Sequence, residues 1–86
     1  MKIFLKKEKN RAYTQVNGYE AYVEYIIDST SLDIIHTIVP KPIEGMGIAW
    51  ALVKFVYDYT LEQGLNPKAT CSYAKTWLLR HPEYTK

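Results

Sequence analysis

Eighty-six residues fit one domain, and eleven basic against nine acidic side chains leave a formal charge of +2, too little for a nucleic-acid-binding face. Apolar residues make up 48% and charged residues 23%, an ordinary globular mixture, and no uncharged run approaches the length of a membrane span. The single cysteine, Cys71, excludes an intrachain disulfide and, with no secretion signal before it, points to the reducing cytoplasm.

The first half of the chain reads as strands. Ile3–Lys7 is a short edge strand, and the charges at Lys6, Lys7 and Glu8 end its apolar stretch too early for a signal peptide. The basic run Lys2, Lys6, Lys7, Lys9 and Arg11 reads as a solvated edge that discourages aggregation. Ala12–Val16 leads into Asn17-Gly18, the pair that best tolerates the positive φ angles of a two-residue hairpin turn. Tyr19–Asp28 alternates with period two, placing Ala21, Val23, Tyr25 and Ile27 on one face. After the polar turn Asp28–Ser31, Leu32–Val39 is apolar on both faces, as in a central strand.

Pro40 and Pro42 end that ladder, and the period changes. From Gly47 to Gln63, apolar residues recur at helical spacing at Ile48, Leu52, Phe55, Val56 and Tyr59. Trp50, Leu52 and Phe55 read as packing against the sheet. Gly64 and Pro67 terminate the helix, and Lys68–Cys71 is a short strand. Ser72 is placed to cap a second helix, Tyr73–Arg80, which turns Ala74, Trp77 and Leu78 inward and ends before Pro82. Strand, helix, strand of this length implies a right-handed parallel crossover inside an otherwise antiparallel sheet. The expected fold class is therefore α/β (α+β) with a short C-terminal helix, formed by residues 1–86 as one domain.

The segment Glu44-Gly45-Met46-Gly47-Ile48-Ala49 puts two glycines at the junction of strand and helix. Glycine lets the chain curl there, and the first amides of a helix lack internal partners, which suits a phosphate. Taken alone, such a pair reads equally well as a tight connection. No Lys-Ser/Thr follows as in a P-loop, and a dinucleotide fingerprint needs a third glycine.

This segment resembles the acetyl-CoA motif of the GNAT superfamily of N-acetyltransferases, Gln/Arg-x-x-Gly-x-Gly/Ala, with Gly47 and Ala49 at its small positions. Together with His36-Thr37-Ile38-Val39-Pro40, Cys71 and Arg80-His81-Pro82-Glu83-Tyr84, the chain resembles the short YjdJ-type GNAT family along nearly its whole length. The resemblance implies a minimal GNAT fold, acetyl-CoA as cofactor and an amine as acceptor. The weak charge and the short apolar runs lead us to expect no nucleic acid or membrane partner, and the chain is expected to be a monomer or weak dimer. The resemblance also implies that Ile38 and Val39 offer main-chain bonds to pantetheine. The amides of Gly45, Met46, Gly47, Ile48 and Ala49 would hold the diphosphate. Glu44 stands where the wider superfamily has Gln or Arg, so that work falls to the main chain.

Acetyl transfer needs an unprotonated amine, a polarised thioester and an acid for the departing thiolate. The tyrosine that often supplies the acid in the superfamily would fall near Trp77-Leu78, where neither residue donates usefully. Cys71, at the end of the strand beside the expected gap, is the candidate nucleophile or acid, against the reading of a small buried residue. His36 is the candidate base, read equally well as a structural histidine. His81 reads as a cap on the last helix, Glu83 and Tyr84 as a lock on the tail, and Tyr73 as a candidate acid for which packing is the favoured reading. Two histidines and one cysteine, widely spaced, match no metal-ligand pattern. Two readings without turnover stand beside the enzyme: a CoA-binding module, and an interaction domain that kept only the fold.

Overall fold

The computed structural model describes residues 1–85. Five strands, β1 (Phe4–Lys6), β2 (Arg11–Val16), β3 (Tyr19–Ile27), β4 (Ser31–Ile38) and β5 (Asn66–Ala69), form one sheet in chain order. The first four are antiparallel neighbours and β4 pairs with β5 in parallel. Two helices, α1 (Ile48–Glu62) and α2 (Ser72–Arg80), follow β4 and β5 respectively. This is the mixed sheet with a single parallel crossover that the sequence pattern predicts.

The turns follow from local chemistry. Asn17 and Gly18 carry φ of 52° and 81° and join β2 to β3 in the hairpin expected. Asp28 accepts the amides of Thr30 and Ser31, each at 2.8 Å, closing the turn before β4. The last strand runs over Asn66–Ala69, earlier than Lys68–Cys71, and takes in Pro67. Proline is tolerated because β5 is the sheet edge, where a strand offers a side that pairs with nothing.

The core lies between one face of the sheet and the two helices. Ala12, Ala21, Val23, Tyr25, Leu32 and Ile34 meet Ile48, Leu52, Val53, Val56 and Tyr57 of α1, with Ala74 and Trp77 of α2 closing the end. The buried stripe of α1 is centred on Val53 and Tyr57, whereas Phe55 and Tyr59 are only partly covered. Tyr57, fully buried, donates its hydroxyl to the Lys68 carbonyl at 2.6 Å and so fastens β5 to α1. The molecule measures 35 × 29 × 19 Å, and its thickness is that of one sheet and one helical layer.

Candidate active site

The parallel ladder is short, and its end creates the site. Pairing stops at Ile34 opposite Ala69, yet β4 continues to Ile38 while the other chain turns away into α2. The amides of Thr70 and Cys71 both donate to the Ile34 carbonyl, each at 3.0 Å, so this oxygen is the last point of attachment. The Asp33 carboxylate reinforces it by accepting the Thr70 amide and hydroxyl, both at 2.7 Å. Past this clamp a gap opens between the second half of β4 and the start of α2.

A bulge decides which side chains face the gap. Tyr25 pairs with Ile34 but Glu24 pairs with His36, so Ile35 is an extra residue in β4. Leu32 and Ile34 face the helices before the bulge. After it, Thr37 lies opposite inward-facing Val23, and Thr37 and Val39 line the cavity.

The floor of the gap is the turn from Pro40 to Gly47. A single 3-10 turn, Lys41–Ile43, drives Ile43 fully into the core and anchors the two glycines beyond it. Gly45 and Gly47 take φ of 79° and 76°. A β-carbon at either would meet no atom within 4 Å, so glycine serves backbone conformation there and not crowding. Gly47 is the N-cap of α1 and no side chain caps the helix. Its first amides, with the positive end of the helix dipole, face a cavity of about 390 Å³ lined by Glu44, Gly45, Gly47, Ile48, Ala49 and Trp50. Thr37, Val39, Ile43 and Tyr73 complete the wall. A smaller cleft of about 90 Å³ shares Trp50 and Tyr73 with it and extends between the helices past Thr76, Arg80 and His81.

Cys71, and not Ser72, is the N-cap of α2, because the helix begins one residue early. The thiol is half-buried and its Sγ lies 3.5 Å from Thr37 Oγ1, the thiol donating to the hydroxyl. Burial pushes the Cys71 thiol up, but the hydrogen bond with Thr37 and the backbone amides of Ala74 and Tyr73 outweigh it and hold the thiol below its ordinary range. These are the free amides of a helix N-terminus, so the one-residue shift in the cap is what gives the thiol its environment.

The remaining candidates separate. Val39, Glu44, Gly45, Gly47, Ile48 and Ala49 line the cavity. Ile38 is exposed on the opposite face of β4, and the Met46 side chain points to solvent outside the cavity wall. His36 is exposed on that same opposite face, level with Glu24, and the structure does not bring its ring to Cys71. Trp50 is 43% exposed and lines the cavity, where the sequence pattern suggests simple packing. Thr37 is not marked by spacing, since only the bulge turns it inward, whereas Tyr73, weighed in the sequence as acid or packing, lines the cavity wall. His81 does cap α2: its Nδ1 lies 2.7 Å from the Trp77 carbonyl, and its ring stacks on Trp77 at 3.9 Å. Tyr84 donates to Asp58 at 2.6 Å and ties the tail to α1.

A sequence model of the GCN5-related N-acetyl-transferase family matches residues 11–86. The chain belongs to this family. The solution structure of a GCN5-like putative N-acetyltransferase from Staphylococcus aureus superposes with a TM-score of 0.72 over 96% of this chain and 82% of that one, at 29% identity. Protein NATD1 of Xenopus tropicalis is 36% identical over 59 residues, 69% of this chain and 53% of that protein. Protein NATD1 of Homo sapiens is 35% identical over 51 residues, 59% of this chain and 45% of that protein. The chain thus spans about half the length of these NATD1 relatives. The GCN5-related assignment agrees with a sheet whose one parallel pair splays beside a glycine turn, and among the described residues no helix is long and apolar enough to cross a membrane.

Proposed function

We propose that the chain binds acetyl-CoA in the 390 Å³ cavity and passes its acetyl group to an amine. One observation carries this reading: the uncapped N-terminus of α1 and the half-buried Cys71 thiol, hydrogen-bonded to Thr37, flank the same splayed strand. The diphosphate lies against the amides of the Glu44–Ala49 turn, where helix dipole and free donors favour negative charge. Pantetheine then runs along β4, where Ile38 and Val39 lie beyond the last ladder pair and offer main-chain groups. The smaller cleft beside Arg80 takes the adenosine end. Acetyl-CoA brings the activated thioester, and the residues of the chain do the rest.

The Cys71 thiolate attacks the thioester carbonyl, the bond to the CoA sulfur breaks, and CoA leaves as a thiolate that takes a proton from solvent. An unprotonated amine then attacks the acetyl-cysteine carbonyl. The amide forms, the Cys71 thiolate is released, and the surplus proton on nitrogen goes to water. A depressed thiol pKa suits a nucleophile better than an acid, because it raises the share of the reactive thiolate. A second reading, cofactor binding without turnover, draws on Trp77 and Leu78 standing where the superfamily places its acid.

Three measurements test both: intact mass, thermal midpoint and product formation with a panel of amines. Intact mass after incubation with acetyl-CoA and no acceptor should show one added acetyl group on the wild type and none on Cys71→Ala. The thermal midpoint should rise by several degrees with acetyl-CoA, since ligand at a hundred times its dissociation constant adds about 2.7 kcal/mol. Ala49→Glu should abolish the rise without unfolding the protein, because an acid in the first turn favours the helix and repels phosphate. No thermal response at any concentration would sink the cofactor reading. A response without acetyl-cysteine, and without product from a panel of amines, would leave the binding module.

A further inference from the structure

Both helices cover the same face of the sheet, and among the described residues nothing covers the other face. Two cross-strand rows run over it. Phe4, Tyr13, Tyr22 and Ile38 are successive partners across β1 to β4, with Phe4 49% and Ile38 42% exposed. Beside them run Lys6, Arg11, Glu24 and His36, also successive partners across the same four strands. The rows are stiffened from within. Phe4 and Tyr13 pack at 5.5 Å, the Arg11 guanidinium lies 4.1 Å over the Tyr22 ring, and Arg11 Nε meets Glu24 Oε2 at 2.9 Å. An ordered apolar band on an uncovered sheet is a surface to be packed against.

We infer that this face joins two copies of the chain in a symmetric dimer. Charge selects the occupant. The polar row is basic at β1 and β2 and acidic at β3, so it is self-complementary about a two-fold axis parallel to the strands between β2 and β3. That axis sets Arg11 over Glu24 of the partner subunit and Glu24 over Arg11 of the partner subunit. It also sets Tyr13 over Tyr22 of the partner subunit and Phe4 over Ile38 of the partner subunit, while Lys6 meets an imidazole. No carboxylate faces a carboxylate and no ammonium or guanidinium faces another in these two rows. The molecule's two longer extents, 35 and 29 Å, leave room for the roughly 800 Å² per partner of a standard interface. The arrangement also brings the partner's β1 over the outer face of β4, whose second half borders the gap beside Cys71. The inference does not depend on the cofactor reading.

Sedimentation equilibrium across micromolar to millimolar protein should show a reversible rise from 10.0 kDa toward twice that mass. Arg11→Glu and Glu24→Arg should each sediment as monomers. Mixed one to one they should recover the dimer, because each variant's acid or base then meets its opposite across the interface while the repulsion inside each chain persists. This recovery separates the contact between subunits from the Arg11–Glu24 pair within one. Should either variant fail to fold, the concentration-dependent amide shifts of the wild type answer instead. They should cluster on Phe4, Tyr13, Tyr22 and Ile38 and spare α1. A wild type that stays monomeric throughout, or shifts confined to the helical face, overturns the proposal. Shifts of these rows seen only on adding a single-stranded oligonucleotide would also overturn it and assign the face to nucleic acid.

Discussion

Thr37 Oγ1 stands 3.5 Å from Cys71 Sγ, a contact between strand and helix made just past the point where β4 and β5 part. The hydroxyl accepts from the thiol and, once the proton is gone, can turn and donate to the thiolate. It is one of the groups that hold the Cys71 pKa below the ordinary range against the opposing effect of burial. Thr37→Val keeps the shape and removes the polar atom, so the thiol pKa should rise and the thiolate fraction at neutral pH should fall. The rate of iodoacetamide alkylation near neutral pH should drop several-fold, and the midpoint of its pH profile should move upward. An unchanged profile would mean that the amides of Tyr73 and Ala74 set the thiol alone.

Tyr57 is fully buried and its hydroxyl donates to the Lys68 carbonyl at 2.6 Å. Burial, with the Asp33 and Cys71 charges nearby, pushes its phenol well up and favours the neutral, donating hydroxyl. Tyr57→Phe leaves a β5 carbonyl without this partner. The expected cost is about 1 kcal/mol, or roughly 4–8 °C in thermal midpoint for a domain of this size. Leu52→Ala, which empties a fully buried position on the same helix, should cost more, about 2–5 kcal/mol.

Most of the architecture is legible in the sequence because each element has its own chemical punctuation. Asn17-Gly18 fixes the hairpin, the alternation of Tyr19–Ile27 fixes β3, and the prolines with Gly47 fix the passage from β4 to α1. The illegible parts arise where a local rule depends on a partner elsewhere. Ile35 looks like any other residue of an apolar strand, and only its pairing against β3 makes it a bulge that turns Thr37 inward. Trp50 has helical spacing suited to the core, yet the first turn of α1 sits over the gap and not over the sheet, leaving the ring half exposed. Ser72 is the better capping residue by type, but the Thr70 and Cys71 amides are both taken by Ile34, and the helix starts one residue sooner.

The turn before β4 carries a pH-dependent contribution. Asp28 accepts the amides of Thr30 and Ser31, and these bonds, to Thr30 first, hold its carboxyl below the usual carboxylate range. A carboxyl whose folded pKa lies below its unfolded value stabilises the fold above the unfolded value, roughly 4, and loses that contribution as pH falls through the folded one. Asp28→Ala should therefore melt lower than wild type at neutral pH, and the difference should shrink steadily as the pH is lowered below about 4. A difference that stays constant down to strong acid would assign the loss to turn propensity and not to the charge.

Asp33 should govern the gap itself. Its two carboxylate oxygens hold the Thr70 amide and hydroxyl, each at 2.7 Å, at the last residues before the chains diverge. Thr70 is joined directly to Cys71, and the Cys71 amide shares the Ile34 carbonyl with it. Asp33→Ala leaves that shared carbonyl to tether the Thr70 amide alone, so the start of α2 gains freedom and the amides of Tyr73 and Ala74 hold the thiol less well. The expected result is a modest fall in thermal midpoint, a few degrees, because the clamp is exposed to solvent. The larger effect should appear at the thiol: slower alkylation at neutral pH, with Asp33→Asn recovering part of the rate, since an amide can still accept one of the two bonds. Loss of stability with an unaltered Cys71 profile would show that the clamp secures β5 without setting the cysteine.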